Sequence, residues 1–377
     1  MATVRTKRAT AKVNLAAIEH NIQVLKQTAG VPVLAVVKAD GYGHGAVPVA
    51  LAAKSAGADW LGVAFLDEAF ELRYNNVPGP ILAWLLDDSD DFSEALDQDI
   101  DLSVASLSLL RKISDLAKQR DMNARIHIEV DTGLSRAGVA ISEFEEFFSA
   151  LKNIENIEVI SIWSHLACAD EPKNAANEMQ HQNYENALAI AASHGVVPQL
   201  RHIANSAGAL VHPNLRYDMV RCGIATYGVA PGGDLSEATE FKLKAAMTVV
   251  SQIASVRKLK TGDGVSYSYK WTASKPTTVG LIPIGYADGV MRHVSKTGSI
   301  TYQGKQFPIV GTVCMDQFVV DFGETEISVG DEVILFGEGG LSAHAWAQQV
   351  DAIGYELVTR LGNRVEREYF DGVQWAQ

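Results

Sequence analysis

The stretch Val31-Pro32-Val33-Leu34-Ala35-Val36-Val37-Lys38-Ala39-Asp40-Gly41-Tyr42-Gly43-His44-Gly45 decides how this chain is read. Its first seven residues form an unbroken apolar run, the pattern of a parallel strand covered on both faces. Lys38 ends the run, a glycine-rich turn follows, and an Ala/Val-rich helical stretch comes next. An ammonium group at the mouth of an apolar strand is poorly solvated, so its pKa falls. The neutral amine can then condense with an aldehyde or take up a proton. A lysine that snorkels out of a strand end is the other reading, and this segment alone does not choose between them.

Working outward, the first two-thirds of the chain alternates short apolar segments with amphipathic ones. Asn14 is placed to cap a first helix whose apolar face carries Leu15, Ile18, Ile22 and Leu25. Strands are expected at 31–38, 60–65, 81–86, 100–104, 125–131, 158–166, 199–204 and 217–221. Helical patterns at 66–74, 107–120, 142–151 and 174–193 lie between them. Eight strands with helical crossovers close a (β/α)8 barrel. A doubly wound open sheet needs a G-x-G-x-x-G fingerprint after its first strand, and Gly41-Tyr42-Gly43-His44-Gly45 does not supply one.

Near Pro231-Gly232-Gly233-Asp234 the pattern changes to short alternating strands, with turn signals at 261–264, 303–305 and 329–331 and one helix around 343–350. The expected domains are therefore 1–234, an α/β barrel, and 235–377, a mainly β domain.

Composition narrows the partners. A net charge of −13 over 377 residues argues against nucleic acid or an anionic membrane surface. No segment has the length and apolarity of a membrane span, and the N-terminus lacks the apolar core of a secretory signal. Three scattered cysteines offer neither a disulfide framework nor a metal set, which fits a reducing cytoplasm.

In a barrel, the C-terminal ends of the strands line the site. Polar groups collect there: Lys38 on the first strand, Asp131 and the loop to Arg136 after the fifth, and His165 on the sixth. Asn205 and Ser206 follow the seventh strand, and Arg221-Cys222-Gly223-Ile224 the eighth. The loops after strands seven and eight are the usual phosphate site of such barrels, and Ser206 with the N–H groups of Gly223 and Ile224 are suitable donors. An amine facing a phosphate cradle suits an aldehyde cofactor with a phosphate handle, pyridoxal phosphate.

These segments also carry a resemblance. Ala35 to Gly45, Val130-Asp131-Thr132-Gly133, Arg221-Cys222-Gly223-Ile224, Gly264-Val265-Ser266-Tyr267, Ile282-Pro283-Ile284-Gly285-Tyr286-Ala287-Asp288-Gly289 and Gly311-Thr312-Val313-Cys314-Met315-Asp316 resemble the bacterial alanine racemases in order, nearly end to end. The resemblance implies interconversion of L- and D-alanine with pyridoxal phosphate, the D-form feeding peptidoglycan. Lys38 would carry the cofactor and act as one of two bases, with Tyr267 as the other on the opposite face, reaching into a partner's barrel in a head-to-tail homodimer. A phenol needs a cationic setting to act as a base near neutrality.

Arg221 would donate to the pyridine nitrogen and leave it unprotonated, a weaker electron sink that disfavours transamination. His165 would support Arg221 and the tyrosine. Arg136 would hold the substrate carboxylate and the cofactor's phenolic oxygen, and Met315 would give its backbone N–H to the carboxylate, with Asp316 beside it. Tyr42, Ser206, Gly223, Ile224 and Tyr355 match phosphate-binding positions, and Tyr286 narrows the entrance.

One position departs from the family. Many relatives have a lysine modified to a carbamate where this chain has Glu129, so Glu129 is expected to supply the anion that orients Arg136. A racemase for serine or several amino acids is the near alternative. A decarboxylase on the same barrel would be expected to pair the pyridine nitrogen with a carboxylate, and a non-catalytic cofactor carrier would be a lone barrel. Arg221 and the β domain weigh against these two.

Overall fold

The computed structural model describes residues 8–235, 238–295 and 297–371. Among these residues, eight parallel strands run in the order Leu200–His202, Ile157–Trp163, Ala124–Glu129, Ile100–Val104, Ile81–Ala83, Trp60–Val63, Val33–Val36, Val220–Cys222. The two ends of this sheet meet. Arg221 N–H donates to Ala204 O at 2.9 Å and Asp218 N–H to Arg201 O at 3.1 Å, so the sheet curls into a nearly closed barrel.

The helices between strands form for the expected reasons. Asn14 accepts from Ala17 N–H and starts Leu15–Ala29, which buries Ile18, Ile22 and Leu25 and stops at Gly30. Ser106 caps Leu107–Gln119 in the same way. Most strands end two or three residues earlier than the apolar pattern predicts. Residues 37–38, 130–131 and 164–166 leave the ladder and turn into the barrel mouth.

The second sheet has nine strands, ordered Ser255–Leu259, Thr277–Ile282, Phe318–Gly323, Lys305–Val310, Ser299–Tyr302, Glu332–Phe336, Met247–Gln252, Ala9–Asn14, Glu366–Phe370. The strand Ala9–Asn14 pairs antiparallel with Met247–Gln252 and parallel with Glu366–Phe370. The strand Ala9–Asn14 thus lies in the sheet of the β domain, inside the span 1–234 expected for the barrel. The chain enters the barrel only at Leu15. A two-residue turn at Gln303 and Gly304, both at positive φ, joins two of these strands as its sequence predicts. The late helix is Ala343–Gln348, and a second one, Gly354–Thr359, packs its Leu357 and Val358 inward. Apolar side chains of both domains form one continuous core.

Candidate active site

The lysine turn sets the geometry of the barrel mouth. Ala39 (φ 52°, ψ 53°), Asp40 (52°, 50°) and Gly41 (58°, 46°) make a left-handed turn directly after Lys38. Each non-glycine residue there costs roughly 1–2 kcal/mol, so the neighbours must hold the turn. Glu68 does so: its carboxylate accepts from Ala39 N–H at 2.6 Å and from Ala64 and Phe65 N–H at 2.8 and 3.2 Å. Asp40 accepts from Ala46 N–H at 2.9 Å and fixes the next helix.

The turn delivers Lys38 to a cavity of about 250 Å³, lined also by Tyr42, Arg136, His165, Ser206, Arg221, Gly223, Ile224 and Tyr355. All nine residues were expected there from the sequence. The lysine Nζ lies 5.9 Å from the Trp84 ring centroid. Burial first, then the charge of Arg136, holds its amine below the ordinary lysine value, with Glu68 opposing.

Arg221 spans the floor of the cavity. Its Nη1 donates to His202 Nδ1 at 2.9 Å and His202 O at 3.1 Å. Nη2 donates to Ser164 O at 2.7 Å and His165 Nδ1 at 3.2 Å. The guanidinium lies 4.5 Å from the Trp163 ring centroid. Burial pushes it down to about 10, with Glu129 opposing, so it stays a cation at neutral pH. Burial and then the charges of Arg221, Arg136 and Lys38 push His165 down to about 3. The imidazole is therefore neutral, and Nδ1 is free to accept.

On the far side, Ser206 Oγ accepts from Gly223 and Ala225 N–H at 2.9 and 3.3 Å. A Cβ at Gly223 would stand 2.5 Å from Tyr42 Oη, so only glycine permits this approach. Burial raises Tyr42 to about 12 and raises Tyr355 too, so both phenols keep their protons as donors. Tyr42 stacks on Tyr227 at 4.9 Å, and Tyr227 is tied to Val36 O at 2.9 Å. Neutral O–H donors gathered around a glycine approach are the donor set a phosphate monoester needs. With Lys38 and Arg221 opposite, the residues present fit pyridoxal phosphate.

Arg136 stands on an exposed loop that Asp131 shapes by accepting from Gly133 and Ser135 N–H at 2.9 and 3.1 Å. Gln180 pins that loop to the sixth strand, donating to Thr132 Oγ1 and His165 O at 3.1 and 2.9 Å. Glu129 is buried, and burial raises its carboxyl to about 7 against the pull of Arg221 and then Arg136.

The other predicted residues lie elsewhere. Tyr267, Tyr286, Met315 and Asp316 share one surface of the β domain, and none of them lines the cavity. Tyr267 is 70% exposed, on a loop with Ser266, Ser268 and Tyr269 all at positive φ. Thr312 Oγ1 donates to Tyr267 O at 3.2 Å, and Tyr286 and Ala287 N–H donate to Cys314 and Met315 O at 3.1 and 3.0 Å. Arg364 pairs with Asp288 and Asp316 at 2.7 and 2.8 Å. The cluster is thus one ordered surface.

The sequence reading passed over Glu68, Trp84, Gln180 and His202. An inward-facing polar residue on an apolar strand marked His202, and Glu68 three residues after an N-cap, Phe65, that has no polar side chain marked the capping group of the 66–74 helix.

Fold and site together define a two-domain barrel enzyme whose mouth presents a lysine amine, a buried arginine and a phosphate-type cradle. Residues 13–231 match the family model described as alanine racemase, N-terminal domain, and residues 246–369 match alanine racemase, C-terminal domain. The alanine racemase of Thermobifida fusca is 43% identical over 373 residues, 97% of this chain and 99% of that protein. That of Mycolicibacterium smegmatis is 42% identical over 371 residues, 96% of this chain and 95% of its own length. Among solved structures, the alanine racemase of D-cycloserine-producing Streptomyces lavendulae superposes with a TM-score of 0.95 at 39% identity, covering 98% of both chains. The Streptomyces coelicolor structure gives 0.94 at 39%, covering 97% of this chain and 99% of its own. The chain belongs to the alanine racemase family, a family of isomerases.

Proposed function

We propose that this chain racemises alanine with pyridoxal phosphate bound at the barrel mouth, working as a head-to-tail homodimer in the cytoplasm. The cytoplasm suits three free cysteines. What carries the reading is the separation of the two candidate bases. Lys38 lines the cavity of a barrel, whereas Tyr267 is exposed on the β domain and lines none of it. One chain therefore holds half of a two-base site, and a second copy supplies the other half.

Pyridoxal phosphate, when bound, supplies the electron sink that makes the α-proton of an amino acid removable. The chain's own residues do the rest. Ser206, Tyr42, Tyr355 and the N–H of Ile224 would bind the phosphate, with the N–H of Gly223, which donates to Ser206 Oγ at 2.9 Å, beside them. Lys38 would hold the cofactor, and its Nζ would take or return the α-proton on one face. Tyr267 Oη of the other copy does the same on the opposite face. Arg221, its terminal nitrogens already engaged by protein acceptors, would sit beside the pyridine ring as a group with no proton to yield. Arg136 and the Met315 N–H hold the substrate carboxylate, Tyr286 and Asp316 border the entrance, and His165 steadies Arg221. Glu129 supplies the buried anion between Arg136 and Arg221. With its carboxyl near 7, that anion forms as pH rises through neutrality, so the KM for alanine should fall over the same range in the wild type and stay flat in Glu129→Gln.

Incubation of the cofactor-loaded protein with L-alanine in deuterium oxide tests the reading. Decay of optical rotation with deuterium appearing at the α-carbon is the expected result. Retained rotation without exchange would remove alanine as substrate.

A further inference from the structure

A line of buried polar groups crosses the barrel interior beneath the site, and the activity just described does not use it. Arg221 Nη1 donates to His202 Nδ1 at 2.9 Å. His202 Nε2 lies 2.9 Å from Ser161 Oγ, and Ser161 Oγ lies 2.7 Å from His127 Nδ1. His127 Nε2 lies 3.1 Å from Asp101 Oδ2. At the far end Arg125 Nε donates to Asp101 Oδ1 at 2.6 Å. Asp101, His127, Ser161 and His202 are at most 1% exposed.

The two ends fix the direction of every bond between them. A guanidinium only donates and a carboxylate only accepts, so each intervening group must accept once and donate once. One arrangement satisfies this. His202 carries its proton on Nε2 and gives it to Ser161, Ser161 gives its own to His127 Nδ1, and His127 gives its Nε2 proton to Asp101. Burial also keeps both imidazoles neutral by pushing their pKa values down. The direct His127 Nδ1 to His202 Nε2 approach of 3.5 Å is compatible with the same tautomers.

We propose that Asp101 is a positioning residue for the reaction: as the acceptor at the foot of a directed chain, it holds His202 in the tautomer that anchors Arg221. The proposal rests on the assignment of Arg221 to the cofactor ring. Asp101→Asn shows why the carboxylate matters. Arg125 donates to both oxygens, from Nε to Oδ1 at 2.6 Å and from Nη2 to Oδ2 at 3.3 Å, so the shorter contact takes the amide oxygen and the NH2 group faces His127 Nε2 as a donor. With donors at both ends, Ser161 Oγ must accept from both imidazoles, and its own buried O–H loses its acceptor in the chain.

Two measurements test this on the holoenzyme. In 15N NMR, His127 and His202 should both carry a single proton on Nε2, and Asp101→Asn should move the His127 proton to Nδ1. A charged imidazole or an Nδ1 proton on either residue of the wild type would overturn the proposal. In steady-state kinetics, Asp101→Asn should lower kcat about tenfold, equivalent to about 1.4 kcal/mol, with the KM for alanine nearly unchanged. Ser161→Ala removes the central relay and leaves only the 3.5 Å His127–His202 approach, so adding Asp101→Asn to it should cost much less than Asp101→Asn costs alone. An equal loss from Asp101→Asn with and without Ser161 would show a purely structural role and overturn the proposal. Should Asp101→Asn fail to fold, the wild-type tautomers and the Ser161→Ala kinetics decide. The tautomer measurement needs no turnover, so a protein inactive on alanine would fail the functional reading while the chain is still tested.

Discussion

The barrel mouth and the Tyr267 loop of the β domain both carry residues the sequence marks for chemistry, yet physically they are opposites. At the mouth Tyr42, Glu129 and Arg221 are buried, and every large pKa displacement there traces first to burial: His165 to about 3, Glu129 to about 7, Tyr42 to about 12. On the loop, Tyr267, Met315 and Tyr286 are 70, 53 and 43% exposed. The loop is nonetheless held in strained backbone and tied to its neighbours. Strain and order at an exposed surface are the marks of a group prepared for something outside its own chain. In the proposed reading the mouth is finished within one chain and the loop is completed by a second.

Substitutions at the two places should break function differently. On the proposed roles, Lys38→Ala would remove a base and the cofactor's attachment together, so kcat/KM should fall by about four orders of magnitude or more, with loss of cofactor absorbance. Tyr267→Phe removes one base and nothing else. A fall of about 10²–10⁴ in kcat is expected with cofactor binding intact. Cofactor loss in Tyr267→Phe would erase the distinction between the regions.

Glu129 sharpens the comparison through stability. Its carboxyl binds a proton more tightly folded than unfolded, 4.5 rising to about 7. It therefore contributes stability that is complete below pH 4.5 and lost as pH rises through 7. Glu129→Gln is blind to this titration. It should exceed the wild type in stability above pH 8 by at most about 3 kcal/mol, with the difference closing below pH 4.5, as thermal melts across pH would show. The smallest effect is expected at Glu68, which is only partly buried. Glu68→Gln sets an NH2 group against N–H donors and should cost about 1–3 kcal/mol, read as a lower Tm and a raised KM for the cofactor.

Much of the mouth was legible because local physics writes it locally. A doubly buried strand must be apolar, a lysine at its end stands out, and glycine marks where backbone approaches closely. Other parts depend on distant partners. Ala9–Asn14 is six residues whose role is set by strands near 250 and 368, and no short-range pattern reveals that pairing. The helix that brings Tyr355 to the cavity is six residues long, too short to show a period. Asp101, His127, Ser161 and His202 sit on four different strands and read, one at a time, as isolated polar residues in apolar segments. The role proposed for Tyr267 cannot be read from a single chain, because in that reading its target lies in a second copy.

The claim that two chains share each site is tested most directly by mixing Lys38→Ala with Tyr267→Phe under conditions of subunit exchange, with tags that report the exchange. Each variant alone should be nearly inactive, while random pairing leaves one intact site in every mixed dimer and should restore about a quarter of wild-type activity. Complete exchange with no recovery would contradict the account.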